Sequence, residues 1–316
     1  MGAGAGRGLR LARTGATFPM ETDLAMKPRE NGAVLRFAPS PNGFLHIGHA
    51  YSALVNQRLA RALGGRLLLR IEDLDIGRCR PAYEAAIFED LQWLGVEWER
   101  PVPRQSERLP IYARALETLM ESGLAYPCFC TRGDVAAAIA ERPNWPRDPD
   151  GSPLYPGVCK HMSPQERQRR LASGQNGAVR LDISEAVARL AGPLGWREYG
   201  ETTAARDVAA EPSAWGDAII GRRDVPGSYH LAVVIDDCFQ GVSDVVRGMD
   251  LFAATSLHRL LQELLDFPAP AYRHHRLLID ENGAKLSKSA RAKSIRELRA
   301  EGLSAADVHG LVGILI

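Results

Sequence analysis

The sequence has no long hydrophobic run. Of its 316 residues, 45% are apolar and 24% are charged, and no apolar stretch approaches the roughly 18 residues that a membrane-spanning helix requires. This excludes a transmembrane protein and predicts a soluble globular chain with no membrane partner. At this length, the chain is expected to form one large domain or two smaller ones around a sizeable core.

Cysteine is scarce, and neither sign of charge is in excess. The five cysteines are odd in number and unevenly spaced, which does not suit a secreted disulfide framework and instead indicates reduced thiols, some of them metal-bound. Since the net charge is only +1, a nucleic acid would have to bind a local basic surface. We expect a cytoplasmic protein that acts as a monomer.

Residues 1–32 contain no acidic residue before Glu21 and show no regular apolar periodicity. Their glycine, alanine and arginine content predicts a disordered tail. An acid-poor, arginine-rich start also suits an organelle transit peptide, and Met20 or Met26 could be the initiator. The sequence leaves these alternatives open.

After this tail, short apolar runs alternate with longer amphipathic stretches, a pattern that predicts strands connected by helices in an α/β fold. The predicted strands are residues 34–37, 67–71, 231–235, 245–246 and 277–279. The predicted helices are residues 46–63, 81–94, 110–123, 163–174 and about 257–265. A stretch rich in proline and glycine at residues 141–157 predicts a long loop, and its length suggests an insertion.

The first chemical motif runs from Arg36 to His49 with the sequence RFAPSPNGFLHIGH. It spans a predicted strand, a turn and the start of a helix. There, the imidazoles of His46 and His49 and the free backbone amides can donate hydrogen bonds to phosphate oxygens. Gly48 leaves room for a nucleotide to approach closely. The motif therefore indicates a nucleotide site.

The second motif is KLSKS at residues 285–289, after a predicted strand and the turn signal Asn282-Gly283. Its two ammonium groups, on Lys285 and Lys288, suit a triphosphate. When a carboxylate attacks the α-phosphorus of ATP, negative charge moves to the departing pyrophosphate, and lysines can stabilise that charge in the transition state.

Together the two motifs resemble the signatures of class I aminoacyl-tRNA synthetases, and the run from residue 36 to residue 49 is similar to that of the glutamyl- and glutaminyl-tRNA synthetases. The resemblance covers residues 33–300 and implies a Rossmann-type catalytic domain that uses ATP with Mg²⁺. It implies catalytic roles for His46, His49, Lys285 and Lys288. It also implies ATP contacts from His46, Gly48, His49 and Lys288.

Selection of glutamate requires cationic donors for the second carboxylate, and the planar fork of arginine suits this task. Arg36 and Arg247 are the candidates, and the alternative is that each pairs with an acidic neighbour. By the resemblance, Glu72 receives the substrate ammonium group and Tyr229 places its hydroxyl against the same ligand. The resemblance also assigns to this pocket the residues that follow Arg36, namely Phe37, Ala38, Pro39 and Ser40.

Three cysteines flank the predicted loop, in Cys-x-Cys at Cys128 and Cys130 and again at Cys159. Three thiolates suit a tetrahedral Zn²⁺, and spacing alone favours His161 as the fourth ligand because imidazole is a common zinc ligand. The pattern Cys-x-Cys followed by Tyr-x-x-x-Cys is similar to that of glutamyl-queuosine tRNA(Asp) synthetases, and this resemblance favours Tyr155 instead. Such a zinc would be structural.

That resemblance implies activation of glutamate with ATP and its attachment to the queuosine base at the first anticodon position of tRNA(Asp). It also implies a zinc-bearing insertion and no anticodon-binding domain. We expect a tail at 1–32, a first catalytic half at 33–125, an insertion at 126–215 and a second catalytic half at 216–316.

Two other functions are consistent with the same motifs. A shortened glutamyl-tRNA synthetase would charge the acceptor end of a tRNA, and a non-catalytic paralogue would bind RNA or regulate a partner. The sequence offers two basic stretches for RNA contact, at residues 165–170 and 291–299.

Overall fold

The computed structural model describes residues 32–200, 205–278 and 293–314. Within these ranges, nine strands and ten helices form a mixed α/β structure, which confirms the predicted α/β class. The strands are β1 Val34–Phe37, β2 Arg66–Leu69, β3 Ala125–Cys128, β4 Ala178–Leu181, β5 Gly195–Glu198, β6 Arg206–Ala209, β7 Ile219–Gly221, β8 Asp244–Gly248 and β9 Ala271–His275. The helices are α1 Ile47–Ala62, α2 Pro81–Trp93, α3 Leu109–Glu121, α4 Arg132–Ile139, α5 Pro164–Ala172, α6 Ile183–Ala188, α7 Tyr229–Phe239, α8 Ala254–Leu264, α9 Ile295–Ala300 and α10 Ala305–Val312.

Parallel strands form the part of the structure that carries the first sequence motif. β1 pairs in parallel with β2, while β9 pairs in parallel with both β5 and β8. A hydrogen bond of 2.9 Å from the Ser243 N–H to the Val34 carbonyl joins the segment before β8 to the start of β1. The carboxyl ends of β1, β2, β8 and β9 therefore surround one space, as expected for ligand sites in α/β proteins.

The predicted insertion contributes to two sheets. β3, β4 and β7 form an antiparallel sheet. β5 and β6 also fall between residues 126 and 215, yet β5 pairs with β9. The predicted insertion therefore adds a strand to the sheet that contains β8 and β9.

Two large apolar clusters hold these layers together. One packs α1, α2 and α10 on β1 and β2, with Leu54 and Ile87 at its centre. The other packs α3, α7 and α8 together around Leu231 and Leu257. A third, smaller cluster surrounds Cys128 and the other two thiols of the predicted metal site.

Most predicted elements are found within a few residues of their expected bounds, but two predicted strands are wrong. Residues 231–235 lie inside α7, whose side chains from Leu231 to Asp237 are all buried. A helix buried on every side presents a continuous apolar run, which a sequence cannot distinguish from a central strand. The last predicted strand is also displaced, because β9 ends at His275 and residues 276–278 are not in a strand.

Some predictions fall where the structure gives no description. Lys285 and Lys288, residues 1–31 of the predicted tail and the first two residues of the second basic stretch lie outside the described residues. Among the helices that are described, none has both the length and the apolar character needed to cross a bilayer.

Candidate functional site

A cavity of about 440 Å³ opens at the carboxyl ends of the parallel strands. Its wall is built from the ends of β1, β8 and β9, the residues that follow β2, and the first turns of α1 and α7. The lining includes these residues predicted from the sequence: Arg36, Phe37, Ala38, Pro39, Ser40, His46, Gly48, His49, Glu72, Tyr229 and Arg247. The fold thus brings together the first motif and three isolated residues, Glu72, Tyr229 and Arg247, that are far apart in the chain.

Other polar side chains of this lining are not among the sequence candidates. They are Asn42, which lies within the first motif, and Tyr51, Ser52, Asp250, His275 and Arg276. Tyr51 and Ser52 lie within one turn of His49 on α1, so helical spacing alone could have identified them. Asp250 follows β8, while His275 ends β9 and Arg276 follows it. No sequence motif marks these three residues.

His46 and His49 form the amino-terminal cap of α1. The His46 N–H donates to His49 Nδ1 and the Gly48 N–H donates to His46 Nδ1, both at 3.1 Å. The two rings are 3.8 Å apart between centroids. Because each Nδ1 accepts a hydrogen bond, each neutral ring carries its proton on Nε2, which becomes a donor. The cap therefore fixes the tautomers of both imidazoles in the cavity wall.

Arg36 pairs with an acid, as the alternative interpretation of this residue expected. Its Nε donates to both carboxylate oxygens of Asp237, at 3.0 and 3.2 Å. Arg70 binds the same carboxylate at 2.8 Å and donates to Glu72 at 3.1 Å. Burial alone would raise the pKa of Asp237, but Arg36 and Arg70 hold that pKa below its ordinary value. Arg36 nevertheless remains part of the cavity wall.

Glu72 is an acidic side chain of the cavity lining, which also contains Asp250. Glu72 is 9% exposed and keeps its bond to Arg70. Burial raises the pKa of Glu72, while the charges of Arg70 and Arg36 oppose that rise. A cationic group bound next to Glu72 would add to the stabilisation of the carboxylate. The position therefore suits an ammonium group.

Arg247 is held by three side chains, none of which is acidic. It donates from Nε to His274 Nε2 at 3.1 Å, and its other two nitrogens contact His258 Nδ1 at 3.0 Å and Thr255 Oγ1 at 2.7 Å. Within the described ranges, no carboxylate forms an ion pair with Arg247, so the acid-paired alternative is wrong for this residue. Tyr229 is the first residue of α7, and its ring centroid lies 5.6 Å from that of His258.

The three cysteines of the predicted metal site also come together. The Sγ atoms of Cys128, Cys130 and Cys159 all lie within 4.8 Å of one another. Tyr155 Oη is 3.4 Å from Cys130 Sγ and accepts a hydrogen bond of 2.7 Å from the Cys159 N–H. His161 does not belong to this cluster in the part of the chain that the structure describes. The arrangement offers three sulfur atoms and one phenolic oxygen.

Comparison with known proteins identifies a family. Residues 33–309 match the family described as "tRNA synthetases class I (E and Q), catalytic domain". The chain is 45% identical to the glutamyl-Q tRNA(Asp) synthetase of Rhodobacter capsulatus, over 89% of this chain and 100% of that protein. It is 36% identical to glutamate–tRNA ligase 2 of Syntrophus aciditrophicus, over 88% of this chain but 55% of that enzyme.

The fold has a solved counterpart. The structure of a glutamate tRNA ligase from Elizabethkingia meningosepticum, in complex with its amino acid, superimposes with a TM-score of 0.72 at 26% identity. The alignment covers 90% of this chain and 60% of that enzyme.

Proposed function

The chain belongs to the class I tRNA synthetases for glutamate and glutamine through its catalytic domain, and from this membership we propose that it activates glutamate and transfers it to queuosine in tRNA(Asp). The observation that carries the proposal is the presence of Arg247, Glu72 and Tyr229 in one cavity with the His46–His49 cap. The match at 45% identity to the whole length of the Rhodobacter glutamyl-Q tRNA(Asp) synthetase supports queuosine as the acceptor.

Glutamate binds with its side-chain carboxylate toward Arg247 and its ammonium group toward Glu72. This orientation places each charge of the ligand against an opposite charge of the wall. Arg36 and Tyr229 complete the polar wall, and residues 37–40 supply backbone at the end of β1. The α-carboxylate is then left facing the nucleotide side of the cavity.

ATP, with its Mg²⁺, binds beside the cap of α1. The glutamate α-carboxylate attacks the α-phosphorus, a new carboxyl oxygen–phosphorus bond forms, and the bond to the β-phosphate oxygen breaks as pyrophosphate leaves. The Nε2–H donors of His46 and His49 stabilise negative charge on the phosphate oxygens, and Gly48 allows close approach. The product is glutamyl adenylate.

Lys285 and Lys288 act on the leaving pyrophosphate in this proposal. The described residues on either side of 279–292 support it. Leu278 lines the cavity, while Ser294 forms a bridge with His46 and the Ile295 N–H donates to the Leu45 carbonyl at 2.8 Å. The described residues that precede and follow the two lysines in the chain thus lie beside the nucleotide site.

In the second step, a hydroxyl of the queuosine base attacks the activated carbonyl, and AMP leaves. The adenylate is a good acyl donor, so orientation of the two reactants supplies much of the acceleration. The product is an ester on the modified base at the first anticodon position.

A structural zinc is also part of the proposal, with Cys128, Cys130, Tyr155 and Cys159 as ligands. Zinc–sulfur bonds of about 2.3 Å in a tetrahedron place two sulfurs ~3.8 Å apart, and the Cys130–Cys159 Sγ distance of 3.5 Å is close to that value. The Arg180 guanidinium stacks 3.8 Å from the centroid of the Tyr155 ring. Burial and the hydrogen bonds with the three thiols raise the pKa of Tyr155, so a metal ion bound here would have to displace the phenolic proton.

The remaining assignments follow from the same proposal. We place the catalytic halves at 33–125 and 216–316 on either side of a zinc-bearing insertion at 126–215. We also propose that the protein is a monomer and that it acts in the cytoplasm, where its proposed substrates are found.

The acceptor is tested by comparing tRNA(Asp) that carries queuosine with the same tRNA lacking it. The modified tRNA is expected to accept glutamate and the unmodified tRNA none, because only queuosine provides the attacked hydroxyl. Removal of the 3′-terminal nucleoside should leave acceptance intact, whereas periodate, which cleaves the cyclopentene diol, should abolish it. The measurement is incorporation of labelled glutamate into an alkali-labile ester.

Two results would contradict this assignment. Charging of tRNA(Glu), lost on removal of its 3′ end, would identify an acceptor-end glutamyl-tRNA synthetase. Absence of glutamate-dependent pyrophosphate exchange would favour the non-catalytic paralogue. The two outcomes are distinguished because pyrophosphate exchange measures only the adenylate step.

The basic helix α5 is the proposed RNA contact near the metal site. Arg169 and Arg170 both pair with Glu166, and Arg167 lies on the same helix. Neutralising the three arginines together is expected to lower tRNA affinity roughly tenfold and to reduce the slope of log affinity against log salt by about two. Adenylate formation should be unchanged, because no residue of α5 lines the cavity.

Its control neutralises Arg61, Arg66 and Arg114. These arginines also pair with glutamates at the surface, but they lie outside the predicted insertion. The control should bind tRNA with nearly the original salt dependence. Equal affinity of the α5 variant and the original protein at low salt would remove α5 from the RNA surface.

A further inference from the structure

Arg36 and Arg247, the two arginines assigned to glutamate from the sequence, have opposite electrostatic surroundings. Arg36 shares a buried carboxylate, Asp237, with Arg70. Arg247 contacts only neutral side chains in the described part of the chain. An arginine already paired with an acid has less to gain from a second carboxylate than one without an acidic partner. Of these two arginines, Arg247 therefore has the charge that is available to an anionic ligand.

The contacts of Arg247 leave a fixed pair of donors for a ligand. A guanidinium has five N–H groups, and His274, His258 and Thr255 engage one on each of its three nitrogens. One N–H therefore remains on each of the two terminal nitrogens. Two such donors on a planar group match the two oxygens of a carboxylate.

A chain of hydrogen bonds fixes which nitrogen of each histidine is protonated. His274 accepts from Arg247 at Nε2, so its proton is on Nδ1, which donates to Glu198 at 2.6 Å. His258 accepts from Arg247 at Nδ1, so its proton is on Nε2, which donates to His230 Nδ1 at 3.1 Å. His274 and His258 therefore each present an uncharged lone pair to Arg247 and an N–H to their other neighbour.

Each of these rings accepts a hydrogen bond at one nitrogen, which requires the neutral form, and burial favours the same form. Burial and the charge of Arg247 lower the pKa of His230 to about 4, and the same two effects lower the pKa of His258 well below its usual value. Burial also lowers the pKa of His274, although its bond to Glu198 opposes this. Arg247 is thus supported by hydrogen bonds without being neutralised.

We propose that Thr255, His258 and His274 are positioning residues that reserve the charge of Arg247 for the side-chain carboxylate of glutamate, an inference that rests on the proposed function. A glutamine ligand would present an amide, which cannot neutralise the buried guanidinium. Discrimination between the two amino acids thus depends on residues that do not touch the ligand.

Thr255→Val removes the hydroxyl that accepts from Arg247 and lies 3.2 Å from His274 Nε2, without changing the size of the side chain. In ATP–pyrophosphate exchange, its KM for glutamate is expected to rise about tenfold, the loss of one hydrogen bond to a charged group. The kcat and the KM for ATP should change little, and Thr255→Ser should restore the KM for glutamate. Ser256→Ala is the control, since Ser256 is also buried on α8 but accepts from the Glu211 N–H at 3.0 Å.

His258 tests the importance of charge. His258→Asn keeps an acceptor near the position of Nδ1 and should leave the preference for glutamate over glutamine nearly unchanged. His258→Asp gives Arg247 an acidic partner and is expected to lower that preference about tenfold. Thermal unfolding of both variants, with and without ATP, shows that each is folded.

The outcomes separate this inference from the proposed function. An unmodified protein without glutamate-dependent exchange would contradict the proposed function itself. An active protein in which Thr255→Val leaves the KM for glutamate unchanged, or His258→Asp keeps its preference for glutamate, would overturn the positioning role alone. A kcat loss of the same size in Thr255→Val and Ser256→Ala would show that α8 has only a structural role, which also overturns it.

Discussion

Arg247→Ala is expected to lower kcat/KM for glutamate in ATP–pyrophosphate exchange by about a thousandfold, since removing one partner of a buried, hydrogen-bonded charge pair costs roughly 4 kcal/mol. The side chain is 5% exposed and ends in the cavity. Its loss would leave the side-chain carboxylate of glutamate without its main cation. The KM for ATP should change little, because the nucleotide binds beside the α1 cap.

Arg247→Lys keeps the charge and tests the geometry. A single ammonium group cannot satisfy three neutral acceptors and still offer two donors to a carboxylate. We therefore expect a loss of activity nearly as large as that of the alanine variant. Recovery of most of the activity with lysine would mean that Arg247 acts as a simple point charge.

Arg273→Ala is the matched control for these variants. Arg273 lies on β9, beside β8, where it donates to Asp244 at 3.2 Å and stacks on the Tyr199 ring. It is not part of the cavity lining. Its substitution should keep kcat/KM within about threefold of the original value. A similar loss in both variants would point to damage to the sheet, and an unaffected Arg247→Ala would exclude Arg247 from the substrate site.

The nucleotide motif was predictable because its information is local. The run from Arg36 to His49 encodes one strand, one turn and one helix start in consecutive residues, so its chemistry can be identified without knowledge of the fold. The structure adds how the two histidines cap α1 and fix each other's tautomers. That detail depends on backbone geometry, which residue types alone do not specify.

The surroundings of Arg247 could not be predicted in the same way. His274 is separated from Glu198 by 76 positions and from Arg247 by 27, so no local pattern connects them. The error at residues 231–235 has a related cause. Ser228 caps α7, whose apolar residues pack against α3 and α8. The burial of α7 therefore depends on two helices that are distant in the sequence.

The second large expected effect is the loss of bound zinc when a cysteine of the thiol cluster is replaced. Cys159→Ser is expected to lower zinc affinity at least about a hundredfold, because a structural zinc in a small site contributes on the order of 10 kcal/mol and each thiolate is a major part of that binding. The purified protein should contain one zinc and the variant almost none. Elemental analysis, together with titration against a competing chelator, measures both quantities.

The same variant separates stability from chemistry. The three thiols lie in their own small apolar cluster with Phe129 and Tyr126, and no residue between 73 and 228 lines the cavity. Pyrophosphate exchange should therefore persist in Cys159→Ser, while the thermal midpoint falls and transfer to tRNA is lost. Loss of exchange in step with zinc would show that the metal site supports the cavity after all.

Tyr155 and His161 provide the final comparison, because they are the alternative fourth ligands. Tyr155→Phe removes only the oxygen that lies 3.4 Å from Cys130 Sγ and is expected to weaken zinc binding by about tenfold or more. His161→Ala should have no effect on affinity, since His161 lies outside the thiol cluster of the described residues. The reverse order would assign the fourth position to imidazole, the commoner ligand, and would require the loop around Gly157 to rearrange when zinc binds.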